Sequence, residues 1–253
     1  MLVNNKILAL WGVPRSTSTA FEWMMRQRGD LNCLHEPFGE VWYQGEDPDW
    51  PRLAEDSIRT AGLTYDSAWN DLRELADEGP VFIKDFPHYI TRLWTPEWLS
   101  NFTHSFLIRH PAKTVTSMFK HWPDFDIRET AFAEQRELFD KLTDIHGAPP
   151  PVIDSDDVLA DPHGMVEQWC TAVGIPFIAS ALSWEPGARD EVSWWDGGSF
   201  HENLRGSDGL KAQPKTSIDI SEAPDRVRAV VEELLPHYEH LYAHRIRPET
   251  ASQ

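Results

Sequence analysis

The fold is decided by the stretch from Leu8 to Ala20, which reads Leu-Ala-Leu-Trp-Gly-Val-Pro-Arg-Ser-Thr-Ser-Thr-Ala. The apolar run before Gly12 predicts a buried strand, and the hydroxyl-bearing residues after Arg15 predict the start of a helix. A helix N-terminus offers backbone N–H groups and the positive end of the helix dipole, and an arginine adds a full charge. This stretch therefore predicts an anion site, and the expected anion is a phosphate or a sulfate ester.

The bulk composition limits the classes of partner. The chain has 253 residues, 41% of them hydrophobic and 25% charged, and we expect a single domain over residues 1–253. The net charge of −18 argues against a nucleic acid or an anionic membrane surface as a partner. The two cysteines, Cys33 and Cys170, predict neither a disulfide framework nor a metal site. Without a leader-like segment or a run of about 18 apolar residues, a cytoplasmic location is expected.

The rest of the chain alternates between strand and helix patterns. Strands are predicted over residues 6–11, 31–35, 81–85, 103–109 and 151–154, and helices over 17–28, 112–121, 129–145, 161–173 and about 225–245. Residues 36–51 are predicted to be irregular, 53–77 to form two helices broken near Gly62, and about 184–216 to form a flexible, lid-like loop. This order predicts an α/β fold with a parallel sheet of about five strands and helices on both faces. Ligands bind such sheets at the carboxyl ends of the strands.

The anion loop does not match the ATP and GTP motif. Counting from Gly12, that motif requires glycine and lysine at the positions held by Thr17 and Ser18. A second pattern lies farther along the chain, where a predicted strand ends at Arg109 and Ser117 follows eight residues later on the next helix. We expect these two side chains to hold a second phosphate.

Together the two patterns resemble the nucleotide site of the sulfotransferases that use PAPS, 3′-phosphoadenosine 5′-phosphosulfate. Residues 12–19 resemble the 5′-phosphosulfate loop, in the Pro-Arg-Ser-x-Ser-Thr form of bacterial and carbohydrate-modifying members, and the Arg109/Ser117 spacing resembles the 3′-phosphate motif. The likeness covers residues 5–120 well. Residues 205–211 are similar to the late loop that folds over the nucleotide, although a doubled basic residue is missing.

The resemblance implies a P-loop-like sulfotransferase fold, PAPS as co-substrate, no metal, and a role in bacterial secondary metabolism. The cofactor-binding residues that it implies are Gly12, Pro14, Arg15, Ser16, Thr17, Ser18, Thr19, Arg109, Ser117, Arg205, Gly206, Gly209 and Lys211.

Three further residues are expected to share the chemistry with Arg15, which should contact the 5′-phosphate and the leaving-group oxygen. Lys84 ends a predicted strand and is assigned to the sulfuryl oxygens, with an ion pair to Asp85 or Glu36 as the alternative. Glu36 is the preferred general base and His88 its rival, because a carboxylate or an imidazole can take the proton of an alcohol. His35, or no base at all, also remains open, since the catalytic histidine motif of cytosolic members is not reproduced.

The acceptor is expected to be a small molecule. The aromatic side chains that suggest an apolar or aromatic alcohol, phenol or glycoside are Phe38, Trp42, Trp122, Trp194 and Trp195. The sequence leaves a homodimer open. Two other functions are also considered, a non-catalytic member of the fold that binds the nucleotide and a P-loop-like small-molecule kinase.

Overall fold

A five-stranded parallel sheet forms the centre of the computed structural model, which describes residues 7–50, 59–187, 190–192 and 202–249. The strands are β1 (Ile7–Trp11), β2 (Asn32–His35), β3 (Val81–Asp85), β4 (Phe102–Ile108) and β5 (Val152–Asp154). Their order in the sheet is β2-β3-β1-β4-β5. The predicted strands are therefore confirmed, and β1 lies in the middle of the sheet, where its anion loop is central.

The helices cover both faces of the sheet, as predicted. They are α1 (Ser18–Gln27), α2 (Pro37–Gln44), α3 (Tyr65–Glu78), α4 (Pro96–Leu99), α5 (Pro111–His121), α6 (Phe132–His146), α7 (Ser155–Ala160), α8 (Pro162–Val173), α9 (Glu202–Arg205) and α10 (Asp225–Ala243). One apolar cluster packs α2, α3, α5, α6 and α10 on one face, and a second packs α1 and α8 on the other. Burial of these strands on both faces explains why β1, and β3 as far as Ile83, consist of apolar residues.

Several element boundaries differ from the sequence predictions. The segment predicted to be irregular after residue 36 contains α2, and a short helix, α7, precedes the predicted helix over 161–173. The helix predicted from residue 129 is interrupted at Ala131, whose left-handed φ of 64° separates a turn of 3₁₀ helix from α6. Of the two helices predicted over 53–77, α3 is present, and residues 51–58 lie outside the described part of the chain.

The late segment is partly described. Its described residues include α9 and an antiparallel bridge between Ser183 and Gly209. The flexibility predicted for residues 184–216 is not tested, because residues 188–189 and 193–201 lie outside the description. Among the helices that the structure describes, each is too short or too polar to cross a bilayer.

A buried glutamine braces the edge of the sheet where the strands end. Gln135 of α6 donates from its amide to the carbonyl oxygens of Trp11, at 2.9 Å, and Leu107, at 3.0 Å. It thus ties together the last residues of β1 and β4, which lead into the Gly12 loop and into Arg109. Gln135 thus adds to the pairing of β1 with β4 in fixing the relative positions of two loops that start far apart in the chain.

Candidate active site

A cavity of about 410 Å³ opens at the carboxyl edge of the sheet. Its walls come from the β1–α1 loop, the end of β2, the residues after β3, α5 and the late segment. The lining residues are Pro14, Arg15, Thr17, Ser18, Thr19, Ala20, His35, Glu36, Tyr43, Phe86, Tyr89, Arg109, Ser117, Met118, Trp122, Leu159, Leu204, Ser207, Gly209, Leu210 and Gln213. Residues from both predicted phosphate motifs therefore meet at one cavity.

The β1–α1 loop crosses closely over the end of β3. The Gly12 N–H donates to the Asp85 carbonyl at 3.0 Å, and a Cβ at Gly12 would meet Phe86 Cε1 at 3.3 Å. Two residues of the loop, Arg15 and Thr17, have left-handed φ angles of 65° and 70°. Residues other than glycine rarely adopt this conformation, and each costs on the order of 1–3 kcal/mol. Such turns direct successive backbone N–H groups into one concave surface that suits an anion.

Two arginines are brought together on one wall of the cavity. Arg109 donates from its guanidinium to the Arg15 carbonyl at 2.8 Å, and Arg15 Nε donates to Ser117 Oγ at 2.9 Å. Burial and the charge of Arg109 both lower the pKa of Arg15. Like charges repel, and Asp156, 3.9 Å from Arg109 Nε, offsets only part of this repulsion, so the arrangement favours an anionic ligand. Arg109 and Ser117, predicted to hold one phosphate together, both line the cavity, and each is hydrogen-bonded to Arg15.

The loop hydroxyls have different environments. Ser16 is fully buried, and its Oγ has no hydrogen-bond partner among the residues described. Thr17 Oγ1 accepts a hydrogen bond from Ser155 Oγ at 2.9 Å, which connects the loop to the start of α7. Ser18 and Thr19 line the cavity. Ser155 was not predicted as a site residue, and only its position after β5 gives a signal for it.

An ion pair lies at the ends of β2 and β3. Lys84 is fully buried, and its Nζ forms a salt bridge with Oε1 of Glu36, which is 8% exposed and lines the cavity. Lys84 itself does not line the cavity. The structure thus shows the ion pair that the sequence left as the alternative for Lys84, and the ammonium lies behind the carboxylate.

Glu36 has a left-handed backbone at the start of α2. Its φ of 45° and ψ of 55° are left-handed, and its carboxylate does not cap α2, although it occupies the N-cap position. Asp85 caps that helix instead, accepting from the Phe38 N–H at 3.0 Å and also from the Phe86 N–H at 2.9 Å. Burial and the nearby charge of Glu36 raise the pKa of Asp85 well above its usual value.

A second carboxylate lies behind the same wall. Glu22 of α1 is fully buried and contacts His35 Nδ1 at 2.6 Å and Arg26 at 2.8 Å. Burial alone would raise the pKa of Glu22, but the charges of His35, Lys84 and Arg26 and the bond from His35 lower it to about 2. His35 lines the cavity, and its Nε2 lies 3.8 Å from Glu36 Oε1.

His88, the rival base, lies away from the cavity. It is 4% exposed, does not line the cavity, and is surrounded by the rings of Trp42, Phe86 and Tyr89. Burial lowers its pKa to about 3, and its ring nitrogens have no hydrogen-bond partner among the described residues. Of the two rival bases, the Glu36 carboxylate and the His88 imidazole, Glu36 is the one that lines the cavity.

The apolar end of the cavity contains only part of the predicted aromatic set. Trp122 lines the cavity, whereas Phe38 and Trp42 are buried in the core and do not. Trp194 and Trp195 lie outside the described residues. Tyr43, another aromatic residue of the segment expected to form the acceptor pocket, lines the cavity, as do Phe86, Tyr89 and Met118, which the sequence did not single out. Phe86 and Met118 directly follow Asp85 and Ser117, so position after a strand end and along a helix was the available signal.

Most of the late-segment residues that line the cavity are not the predicted ones. Gly209 lines the cavity, and a Cβ there would meet the Leu182 carbonyl oxygen at 2.5 Å. Arg205, Gly206 and Lys211 do not line it, and exposed Lys211 pairs with Asp208 at 2.6 Å. Leu204, Ser207, Leu210 and Gln213 lie there instead. Within the described ranges, no group of three or more His, Cys, Asp or Glu side chains could hold a metal ion.

Comparisons with known proteins agree with this geometry. A family model described as the sulfotransferase domain matches residues 5–244. The branched-chain-amino-acid aminotransferase-like protein 2 of Arabidopsis thaliana is 27% identical over 94% of this chain, and the match spans 42% of the length of the plant protein.

Two solved structures share the fold. The sulfotransferase domain from the Synechococcus PCC 7002 olefin synthase has a TM-score of 0.54 and 14% identity, with 96% of each chain covered. Mouse sulfotransferase SULT7A1 complexed with PAP has a TM-score of 0.54 and 11% identity, with 93% of this chain and 85% of the mouse chain covered. Because the family model spans nearly the whole sequence, this chain belongs to the sulfotransferase domain family.

Proposed function

We propose that this protein is a PAPS-dependent sulfotransferase that sulfates a hydroxyl of a small, apolar or aromatic acceptor. The observation that carries the proposal is the pair Arg15 and Arg109, linked through the Arg15 carbonyl and Ser117 beside the N-terminus of α1. A ligand with two separate phosphate groups would neutralise both guanidiniums. The mouse sulfotransferase of the same fold is complexed with PAP, 3′-phosphoadenosine 5′-phosphate, which supports the choice of nucleotide.

The residues present fit such a nucleotide. Arg15, the backbone N–H groups of the loop and the hydroxyls of Ser18 and Thr19 would hold the 5′-phosphate, and Arg109 with Ser117 would hold the 3′-phosphate. PAPS would supply the activated sulfuryl group. The protein's contribution is to hold the reactants together and to neutralise charge, as in phosphoryl transfer.

Glu36 would accept the proton of the acceptor hydroxyl. It lies on the cavity wall, and the salt bridge with buried Lys84 favours its ionised form, which is the form that can accept a proton. Lys84 thus acts through Glu36, since it lies behind the carboxylate. Tyr43, Phe86 and Tyr89 surround the same region of the cavity and suit an apolar acceptor.

The reaction would be a direct in-line transfer. The acceptor oxygen forms a bond to sulfur while the bond between sulfur and the 5′-phosphate oxygen breaks, and the hydroxyl proton goes to Glu36. A single cavity with phosphate-binding residues at one end and Glu36 at the other supports transfer without a covalent enzyme intermediate.

Nucleotide binding provides the first test. PAP should raise the melting temperature, and Arg15→Ala should abolish that rise, whereas Arg128→Ala, which removes an arginine with a 61% exposed side chain, should not. A shift with ATP and Mg²⁺ but none with PAP would overturn the proposal.

Turnover provides the second test. Incubation with PAPS and a panel of phenols and alcohols, followed by mass spectrometry, should detect sulfate esters. A PAP-induced shift without any sulfated product across the panel would support a non-catalytic nucleotide-binding protein instead.

A further inference from the structure

The buried carboxylate of Glu22 has no role in the mechanism proposed above, yet it lies next to the reacting region. Its Oε2 contacts His35 Nδ1 at 2.6 Å, and the other nitrogen of the same ring lies 3.8 Å from Glu36 Oε1. The side chains of Glu22 and His35 are 0% and 3% exposed. The imidazole therefore lies between two carboxylates, one fully buried and one on the cavity wall.

The charge of Glu22 determines the protonation pattern of the ring. The pKa of Glu22 is lowered to about 2, so the group is ionised near neutrality and can only accept hydrogen bonds. His35 Nδ1 must then carry the hydrogen in this contact. In the neutral ring, Nε2 consequently has the lone pair that faces Glu36.

The three groups are fixed by regular structure. Glu22 lies on α1, directly after the phosphate loop, and His35 is the last residue of β2. The Glu36 N–H donates to the Lys84 carbonyl at 2.9 Å, which fixes the start of the next segment. Arg26, one turn from Glu22, already provides it with an ionic partner at 2.8 Å. Glu22 therefore has two partners, His35 and Arg26.

We propose that Glu22 and His35 form a dyad that receives the acceptor's proton from Glu36. His35 is the group that becomes protonated, and Glu22 is the positioning residue. This inference rests on the proposed function. The hydroxyl proton moves to the Glu36 carboxylate as the new oxygen–sulfur bond forms, and then to His35 Nε2. The resulting imidazolium is stabilised by the Glu22 carboxylate, and the proton leaves to solvent after turnover.

The separation of 3.8 Å is longer than a hydrogen bond. Catalytic contacts are often long before the substrate binds and shorten in the reacting complex. The relay restores Glu36 to its ionised form beside Lys84, so that the base is ready for the next acceptor.

Several charged groups lie around His35. Glu22 of α1 contacts its Nδ1 and is itself paired with Arg26, Glu36 follows it in the chain, and Lys84 is its register partner on β3. A negative neighbour stabilises imidazolium and a positive neighbour destabilises it. The variants Glu22→Gln and Arg26→Gln should therefore shift the activity in opposite directions along the pH axis.

The first experiment replaces His35 by asparagine, whose amide keeps a donor for Glu22 but lacks the second ring nitrogen. The kcat with PAPS and a good acceptor should fall roughly a hundredfold. The KM for the acceptor and the PAP-induced rise in melting temperature should stay within twofold of the wild-type values. An unchanged kcat would overturn the dyad.

The second experiment measures kcat against pH. The wild-type profile should have an acid limb, because the relay needs an unprotonated group to take the proton. Glu22→Gln should move that limb to lower pH, and Arg26→Gln should move it to higher pH. Lower thermal stability in both variants with unmoved limbs would indicate a purely structural role.

The proposed function and the dyad fail in different ways. If wild-type protein neither binds PAP nor sulfates any acceptor, the proposed function is wrong. If the wild type is active and His35→Asn has the same kcat and the same limb, only the dyad is wrong.

Discussion

The two ends of the cavity treat charge in opposite ways. At the nucleotide end, Arg15 and Arg109 place two positive charges on one wall. At the acceptor end, the charges of Glu36 and Lys84 are of opposite sign and lie in direct contact. Asp156, 3.9 Å from Arg109 Nε, offsets part of the first pair of charges, and a ligand that brings negative charge would offset the rest, whereas the second pair is compensated within the protein.

On the proposed function, this difference explains how an acidic protein would bind an anionic co-substrate. The chain carries a net charge of −18, so general attraction for anions is absent and cations must be concentrated locally. The acceptor end needs no external charge, which agrees with a neutral hydroxyl compound. A protein of this kind separates recognition by charge from recognition by shape within one cavity.

The largest effect is expected from Glu36→Gln. It removes the base while keeping the shape of the side chain, so kcat should fall about 10²–10⁴-fold. The PAP-induced rise in melting temperature should persist, because the nucleotide end is untouched. Steady-state kinetics and thermal shift on the same sample check this, and a loss of nucleotide binding would contradict the separation of the two ends.

Lys84→Met should reduce stability more than any change at the nucleotide end. It leaves the buried Glu36 carboxylate without its ammonium partner, at a cost of about 3–5 kcal/mol in the free energy of unfolding. The double variant Glu36→Gln, Lys84→Met should regain most of that stability but no activity. Urea unfolding measures the stability of the single and the double variant, and equal stability of the two would exclude a mutual ion pair.

The stabilising effect of Glu22 should depend on pH. Because its folded pKa of about 2 lies below the ordinary 4.5, it stabilises the fold above pH 4.5 and this contribution is lost as pH falls toward 2. The difference in unfolding free energy between wild type and Glu22→Gln should be on the order of 3 kcal/mol at pH 6 and should shrink below pH 4.5. The exposed control Glu97→Gln should show no such trend.

The smallest of these effects concerns the two phosphates. Arg109→Ala should weaken PAP binding about 10–100-fold while leaving the affinity for AMP, which lacks the 3′-phosphate, nearly unchanged. The control is Arg128→Ala, since Arg128 has a 61% exposed side chain and does not line the cavity. Isothermal titration with both nucleotides checks this. Equal losses for PAP and AMP would contradict the assignment of Arg109 to the 3′-phosphate.

The sheet and the phosphate loop were predictable because their signals are local. An apolar run followed by Gly12 and a hydroxyl cluster fixes a strand, a turn and a helix start without reference to distant residues. Arg15 and Ser117 are 102 residues apart, and the sequence assigned them only to the two phosphates at opposite ends of one ligand. Their direct hydrogen bond depends on where α5 packs.

The acceptor end was harder to predict because burial decides it. Trp42 and Trp122 have the same side chain, yet Trp42 is 7% exposed in the core and Trp122 lines the cavity. Composition cannot separate the two, since the choice depends on how α2 packs on the sheet. For the same reason the contact of Glu22 with His35 was not predicted, although the two residues are only 13 positions apart in the sequence.

The left-handed backbones of Arg15, Thr17 and Glu36 have a consequence for directed evolution. Glycine adopts this conformation at little cost, so glycine at position 15 or 17 would relieve strain and raise thermal stability at the expense of the side chain, whereas glycine at position 36 would leave buried Lys84 without its partner. Ala131, left-handed at 64° and remote from the cavity, offers the same relief without that loss. A library selected for heat resistance alone would therefore drift toward an inactive loop, whereas alternating selection for heat resistance and turnover would accept glycine at 131 and reject it at 15, 17 and 36.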